Sequence, residues 1–370
     1  MLKRIGMNKN NIQSTSEGIN VVILYSIAVH YVIGMLKALK KCGDNIDIDV
    51  VSWDRKGINS SQYLIEKVEG VQFHARSSLT DENLLALLRS RRPDIIYVSG
   101  WMDKGYLRAI RRYRAEGGRG RVVCGIDDQW EGRLRQRLGQ VYFRLFYKNL
   151  YDFMWVAGKP QYHFAQRFGY GQERILCNML SADTAVFNKK SDFSRRFVFV
   201  GRFDPLKGVD LLIDAYSALP EETKSQWPLV LIGDGELKRE IEKRNSKHIV
   251  VKPFMQLPAL VEELMKGGVA CMPSHHEQWG VAIHEMASLG YPLILSSACG
   301  AATEFLITGY NGFLFRRGDV KSLRDALMQM SFLSTEELEA FALRSRILGQ
   351  RITSEHAACS LLSVLKLEKI

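Results

Sequence analysis

Apolar residues gather along this chain in short runs, separated by longer stretches in which about every third or fourth position is apolar. Strands buried on both faces produce such continuous runs, and helices lying on a sheet produce the longer period. The first series predicts strands at Asn20–Tyr25, Ile46–Ser52, Asp94–Val98, Arg121–Gly125 and Phe153–Val156. Helical patterns fall between them at 29–42, 80–91, 104–116, 131–150 and 160–168. This alternation predicts a doubly wound parallel α/β sheet. A second series follows, with strands at Phe197–Gly201, Leu229–Gly233, His248–Val251, Gly268–Met272, Leu293–Ser296 and Gly312–Phe315. Residues 178–195 between the series are polar and without period, and predict an interdomain linker.

With 370 residues and 46% hydrophobic content, the chain can bury two α/β cores. Two such domains bind ligands in a cleft between the C-terminal ends of their strands. The six cysteines are scattered with no CxxC pair, which predicts reduced thiols in a cytoplasmic protein. Residues 21–37, after Lys3 and Arg4, run mostly apolar. Ser26 and His30 interrupt the run and it is short for a membrane span, so a buried strand followed by a helix is expected there.

Net charge is +11, and residues 101–170 hold 14 Lys/Arg against 6 Asp/Glu. Within 131–150, Arg133, Arg135, Arg137, Arg144 and Lys148 interleave with Tyr142, Phe143, Phe146 and Tyr147. Leu134, Leu138, Val141 and Leu145 recur at helical spacing, which predicts an inward-packing stripe with the arginines outward. A basic and aromatic surface of this kind can meet an anionic membrane, nucleic acid or a charged glycan; a plain solvated helix face explains it equally.

The richest segment for chemistry is PSHHEQWGVAIHEMASLGYP, in which Glu277 and Glu285 stand eight residues apart. In one continuous helix that spacing advances ~12 Å and leaves the side chains ~80° apart, so they would not share one bound atom. Pro273, Ser274 and Gly280 predict a break, with Glu277 on a loop and Glu285 on the following helix. Free N–H groups at that helix start suit a phosphate between the two carboxylates. Two solvated glutamates on an amphipathic helix would show the same spacing. Arg202 and Lys207, in the loop after the first strand of the second series, supply cations able to neutralise a diphosphate. Gly233 and Gly235 form a tight turn without a dinucleotide fingerprint, and there is no P-loop. GAATE, with Gly300 and Glu304, opens another helix and is placed to offer N–H groups to ribose or phosphate. Asp47-Ile48-Asp49 spells a DxD of metal-dependent transferases, but its period-two setting places the aspartates on the polar face of a strand. His275, His276 and His284 cluster without a fourth ligand and fit packing and hydrogen bonding better than a metal.

In order and spacing these motifs resemble the family-four retaining glycosyltransferases of GT-B fold. The likeness rests on Pro273, Ser274, Glu277, Gly280, Glu285 and Gly290, on Arg202, Lys207 and Gly208, on Asn178, Asp183 and Phe187, and on Gly300, Glu304, Asn311 and Gly312. The resemblance implies two Rossmann-like domains facing a central cleft. An acceptor-binding domain would span 1–180, a nucleotide-sugar domain 181–350, and a helix within 351–370 would cross back to the first domain. It implies that Glu285 binds the donor's ribose, that Glu277 holds the donor sugar, and that Arg202 and Lys207 stabilise the leaving diphosphate. The backbone of Gln278, Trp279 and Gly280 would assist. The donor would be a UDP-, GDP- or ADP-sugar and the acceptor a glycan or lipid-linked sugar, with no metal, no other cofactor and no nucleic acid expected. The expected setting is the cytoplasm, and the basic and aromatic character of residues 131–150 would allow a peripheral place on the inner face of a membrane. The first half departs from the pattern. Ser26–His30 stands where relatives have a Gly-rich loop, and Asp127 and Asp128 stand where relatives carry a histidine. Either aspartate can orient an acceptor hydroxyl or take its proton, or else cap the helix expected from 131. A non-catalytic sugar-nucleotide-binding protein, docking through its basic half, is the competing reading.

Overall fold

The structure, a computed structural model of the chain, describes residues 18–54, 66–244 and 246–367. Lys3, Arg4 and the outer ends of the expected terminal segments lie outside the described residues.

The first domain is built on a seven-stranded parallel sheet of order β3-β2-β1-β4-β5-β6-β7. Its strands are β1 (Ile19–Tyr25), β2 (Ile46–Ser52), β3 (Val71–Ala75), β4 (Ile95–Val98), β5 (Arg121–Ile126), β6 (Phe153–Val156) and β7 (Ile175–Leu176). The helices are α1 (His30–Cys42), α2 (Asp81–Arg91), α3 (Lys104–Ala115), α4 (Leu134–Phe146) and α5 (Lys159–Arg167). The apolar run at 21–37 is thus divided between β1 and α1. Among the described residues no helix is long and apolar enough to cross a membrane. Central strands such as β4 and β6 are buried at every position, as parallel strands covered by helices on both faces must be.

The second domain repeats the plan with six parallel strands in the order β10-β9-β8-β11-β12-β13. They are β8 (Phe197–Val200), β9 (Leu229–Ile232), β10 (Ile249–Lys252), β11 (Val269–Met272), β12 (Leu293–Ser296) and β13 (Gly312–Phe315). The helices are α6 (Val209–Ser217), α7 (Glu221–Gln226), α8 (Lys238–Lys243), α9 (Leu257–Leu264), α10 (Val281–Leu289), α11 (Ala302–Phe305), α12 (Val320–Phe332), α13 (Thr335–Gly349) and α14 (Ser354–Ser363). Helix α14 packs along α1 of the first domain, burying Ala357, Ala358 and Leu361. The polar-looking connection between the sheets is itself packed, with Leu180, Ala182 and Phe187 buried.

Three sequence expectations are corrected. The 131–150 helix starts only at Leu134, capped by neither Asp127 nor Asp128. Its stripe of Leu134, Leu138, Val141 and Leu145 points to solvent, while Phe143 is the buried residue of α4. The helix is held by aromatic contact: the Phe143 ring lies 4.1 Å from that of Phe168 and 5.0 Å from that of Trp101. Such an aromatic anchor buries more area than a single aliphatic side chain, so it decides which side of α4 faces inward. Asp47 and Asp49 also differ from a shared polar face. Asp47 is exposed, but Asp49 is buried and bonded to Arg91 at 2.7 Å and to His74 at 2.7 Å.

Candidate active site

Strand order reverses direction between β1 and β4 in the first sheet and between β8 and β11 in the second, and open α/β sheets bind ligands beside such points. A cavity of about 840 Å³ lies there, between the domains. The loop after β8 brings Arg202 and Lys207 to it, and the loop after β11 brings Glu277, Gln278, Trp279 and Gly280. Glu285 reaches it from α10, and His30 and Asp127 reach it from the first domain. Its volume suits a ligand of nucleotide-sugar size.

Local chemistry fixes the second-domain side. Asp204 caps a single 3-10 turn at Pro205–Lys207, its Oδ1 accepting from the Lys207 N–H at 3.0 Å. Gly208 follows at φ 65°, and a Cβ there would come 2.5 Å from the Pro273 carbonyl. Only glycine lets the β8 and β11 loops approach this closely. The approach brings the Lys207 ammonium into an ion pair with Glu277 Oε2, while Ser274 Oγ donates to the same oxygen at 3.4 Å. Glu277 is 9% exposed, so its charge needs these partners. Arg202 is more open and leans on Asp204 at 3.1 Å. Gly280, at φ 97°, turns the chain into α10, whose first turn faces the cavity.

The first domain closes over these groups. His30 Nε2 lies 2.5 Å from Glu285 Oε1. Burial opposes the charge on His30, yet the Glu285 carboxylate outweighs it and the imidazole's pKa is raised above its ordinary value. Gln129 Nε2 donates to the carbonyls of Glu277 at 2.7 Å and Gln278 at 3.0 Å, and Gln161 Nε2 donates to the Gln278 carbonyl at 2.6 Å. In return the Gln278 side chain donates to Asp128 Oδ1. The loop bearing Glu277 is therefore positioned by both domains. His30, Gln129 and Gln161 escape sequence reading because their partners are distant: His30 and Glu285 are 255 residues apart. The one available hint was that His30 follows the first strand.

Asp127 is exposed to the cavity it lines, yet it sits deep in the cleft with protein packed around the cavity wall. Burial, reinforced by the Asp128 carboxylate and less by Glu277, lifts its pKa to about 6. A carboxyl ordinarily ionises near 4 in an unfolded chain, so between pH ~4 and pH ~6 the folded state holds more protons. Stability from this group therefore falls as pH rises through that window and is level above it. Asp127→Asn removes the dependence: its melting temperature should gain on wild type as pH rises from about 4 to about 6. An offset that stays constant across thermal melts in that range contradicts the assignment.

Other expected residues lie elsewhere. The Gly300 N–H, expected to face ribose or phosphate, donates to the Glu277 carbonyl at 3.1 Å. A Cβ at Gly300 would come 2.2 Å from the Gln278 carbonyl, so this glycine serves close packing of the loop. Glu304 lies outside the cavity lining, beside Gly158 of the first domain. The Trp279 ring is buried and donates to the Leu180 carbonyl at 3.1 Å. His284 accepts from the Ala182 N–H at 2.8 Å and donates to the Gly349 carbonyl at 2.7 Å; burial lowers its pKa to about 4. Among the described residues no group of three or more His, Cys, Asp or Glu side chains could hold a metal ion.

Residues 183–360 match the family model described as glycosyl transferases group 1. Over 145 residues the chain is 32% identical to an uncharacterised glycosyltransferase of Methanocaldococcus jannaschii, covering 38% of this chain and 39% of that protein. The chain spans about two fifths of the length of the curated relatives it matches. Sucrose-phosphate synthase from Thermosynechococcus elongatus superposes with a TM-score of 0.72 at 16% identity, covering 94% of this chain and 98% of that one. HepE of Anabaena, in complex with UDP and glucose, superposes with a TM-score of 0.66 at 16% identity, covering 93% and 99%. The architecture is thus the GT-B fold, two Rossmann-like domains facing a cleft. Its second domain carries the glycosyl transferases group 1 match.

Proposed function

We propose that this protein is a retaining glycosyltransferase that moves a sugar from a nucleoside diphosphate sugar to a glycan or lipid-linked acceptor in the cytoplasm, during polysaccharide or glycolipid synthesis. One observation carries the reading: two carboxylates and two cations of the second domain line one cavity, a set of groups whose chemistry suits the hydroxyls and the diphosphate of a sugar nucleotide. The family match and the fold shared with Anabaena HepE, a protein solved with UDP and glucose, support it.

Each group has a task in this reading. Glu285 accepts hydrogen bonds from the ribose hydroxyls, and Glu277 accepts from hydroxyls of the donor sugar. The bond between the anomeric carbon and the diphosphate breaks with its electron pair leaving on the diphosphate oxygen. Arg202 and Lys207 meet that growing charge, aided by the N-terminal end of α10. These cations do the work a metal ion does in other transferases. The anomeric carbon passes through an oxocarbenium-like state. The acceptor oxygen then bonds to it from the face the diphosphate leaves, so configuration is kept. Its proton passes to the departing diphosphate, with Asp127 or Asp128 orienting the hydroxyl. Closure of the first domain over the loop at 277–280 excludes water from the activated sugar.

A thermal-shift screen of UDP-, GDP- and ADP-sugars tests the reading. One nucleotide class should raise the melting temperature in proportion to the logarithm of its concentration, through mass action. No shift with any class contradicts the proposal.

A further inference from the structure

Helix α4 presents an apolar stripe that nothing among the described residues covers. Leu134, Leu138, Val141, Tyr142, Leu145 and Phe146 are between 51% and 73% exposed. At about 100° per residue, Leu134, Leu138, Val141 and Leu145 fall within an arc of about 60°, and Phe143, the residue that anchors the helix, points roughly opposite. The exposed Arg133, Arg137 and Arg144 run along one border of the stripe and Arg135 along the other. Residues 132–150 contain no Asp or Glu.

We propose that α4 docks this protein on an anionic lipid bilayer, lying in the plane of the interface. A helix whose apolar side faces away from its own protein, bordered by cations, can bury that side among acyl chains while the arginines reach back to headgroup phosphates. Other occupants fit less well. A second copy joined symmetrically through this stripe would set arginine borders against each other. Nucleic acid would draw on the cations but gains nothing from four aliphatic side chains at the centre of the face.

The position of α4 gives docking a consequence for the cleft. Just before the helix, Glu131 pairs with Arg133 at 2.6 Å and lies 3.3 Å from Arg317 and 3.3 Å from His276, a residue of the cavity lining. Within the helix, Gln136 Nε2 donates to the Gln129 carbonyl at 2.7 Å, and Gln129 holds the Glu277 carbonyl. A bilayer under α4 thus lies next to the cleft mouth, where it favours a lipid-borne acceptor. That consequence rests on the transferase reading, whereas docking itself does not.

The test is sedimentation of the full chain with phosphatidylcholine vesicles, with and without phosphatidylglycerol. Wild type should bind only the anionic vesicles, and less tightly as salt rises. Each arginine contributes about fivefold at such a surface, so substituting Arg133, Arg135, Arg137 and Arg144 by Gln should lower partitioning at least ~100-fold. Leu138→Ser and Leu145→Ser should each cost on the order of tenfold. These side chains are exposed, so melting temperatures and any nucleotide-induced shift should match wild type; that keeps failure of docking distinct from failure of the donor site. Absence of binding, equal binding to neutral vesicles or insensitivity to the arginine substitutions overturns the proposal. So does a dimer in solution that the Leu substitutions dissolve, or nucleic-acid binding that only the Arg substitutions affect.

Discussion

Glu277→Ala should lower sugar transfer at least ~100-fold while changing nucleoside diphosphate affinity by less than about fivefold. The carboxylate is buried in the loop that leads into α10 and paired with Lys207, so it is held in place before any ligand arrives. Groups fixed in advance toward developing charge are worth roughly a hundredfold to a thousandfold in rate when removed. Nucleotide binding survives in this picture because ribose and base meet Glu285 and its neighbours, several residues further along. Glu277→Gln keeps the shape and the contact with Ser274 but removes the charge that offsets the Lys207 ammonium, so it too should be slow. Turnover measured beside nucleotide titration separates the outcomes. Wild-type rates with weakened nucleotide binding would mean that Glu277 holds the nucleotide and not the sugar.

Lys207→Ala should be nearly as damaging, lowering kcat on the order of a hundredfold, and Arg202→Ala should cost less. The two cations differ in setting: the Lys207 side chain is 20% exposed and faces Glu277, whereas Arg202 is 47% exposed and leans on Asp204. A cation in a drier site acts with less screening. In the proposed reaction Lys207 also changes partner, leaving Glu277 partly for the diphosphate, so its removal would strip charge from both. Steady-state kinetics distinguish the roles. A fall in kcat marks stabilisation of the departing diphosphate, and a rise in KM alone marks uniform binding of donor, which would contradict this assignment.

Much of the fold was legible in the sequence because parallel strands covered on both faces appear as unbroken apolar runs. Phe153–Val156 and Leu293–Ser296 match their strands residue for residue; so do Ile46–Ser52, signalled by its period-two alternation, and Gly312–Phe315 at the sheet edge. The strand Val71–Ala75 was not legible: it lies at the sheet edge, and only Val71 of its five residues is buried. In α4 the period revealed a stripe but not its direction, which was set by Phe143 meeting Trp101 and Phe168 from other elements. The second-domain half of the candidate site was readable because its residues sit close together in two loops and one helix. The first-domain half was not, since His30, Gln129 and Gln161 act on partners more than a hundred residues away.

Whether the cleft holds a nucleoside diphosphate sugar is decided by comparing ligand-induced stabilisation in wild type and Glu285→Gln. Wild type should gain stability with one class among UDP-, GDP- and ADP-sugars, and more with the sugar nucleotide than with the nucleoside alone. Glu285→Gln should need at least ~10-fold more ligand for the same shift, because a neutral amide accepts ribose hydrogen bonds less strongly than a carboxylate. Equal shifts in the two proteins, or none in wild type, would contradict the site described here.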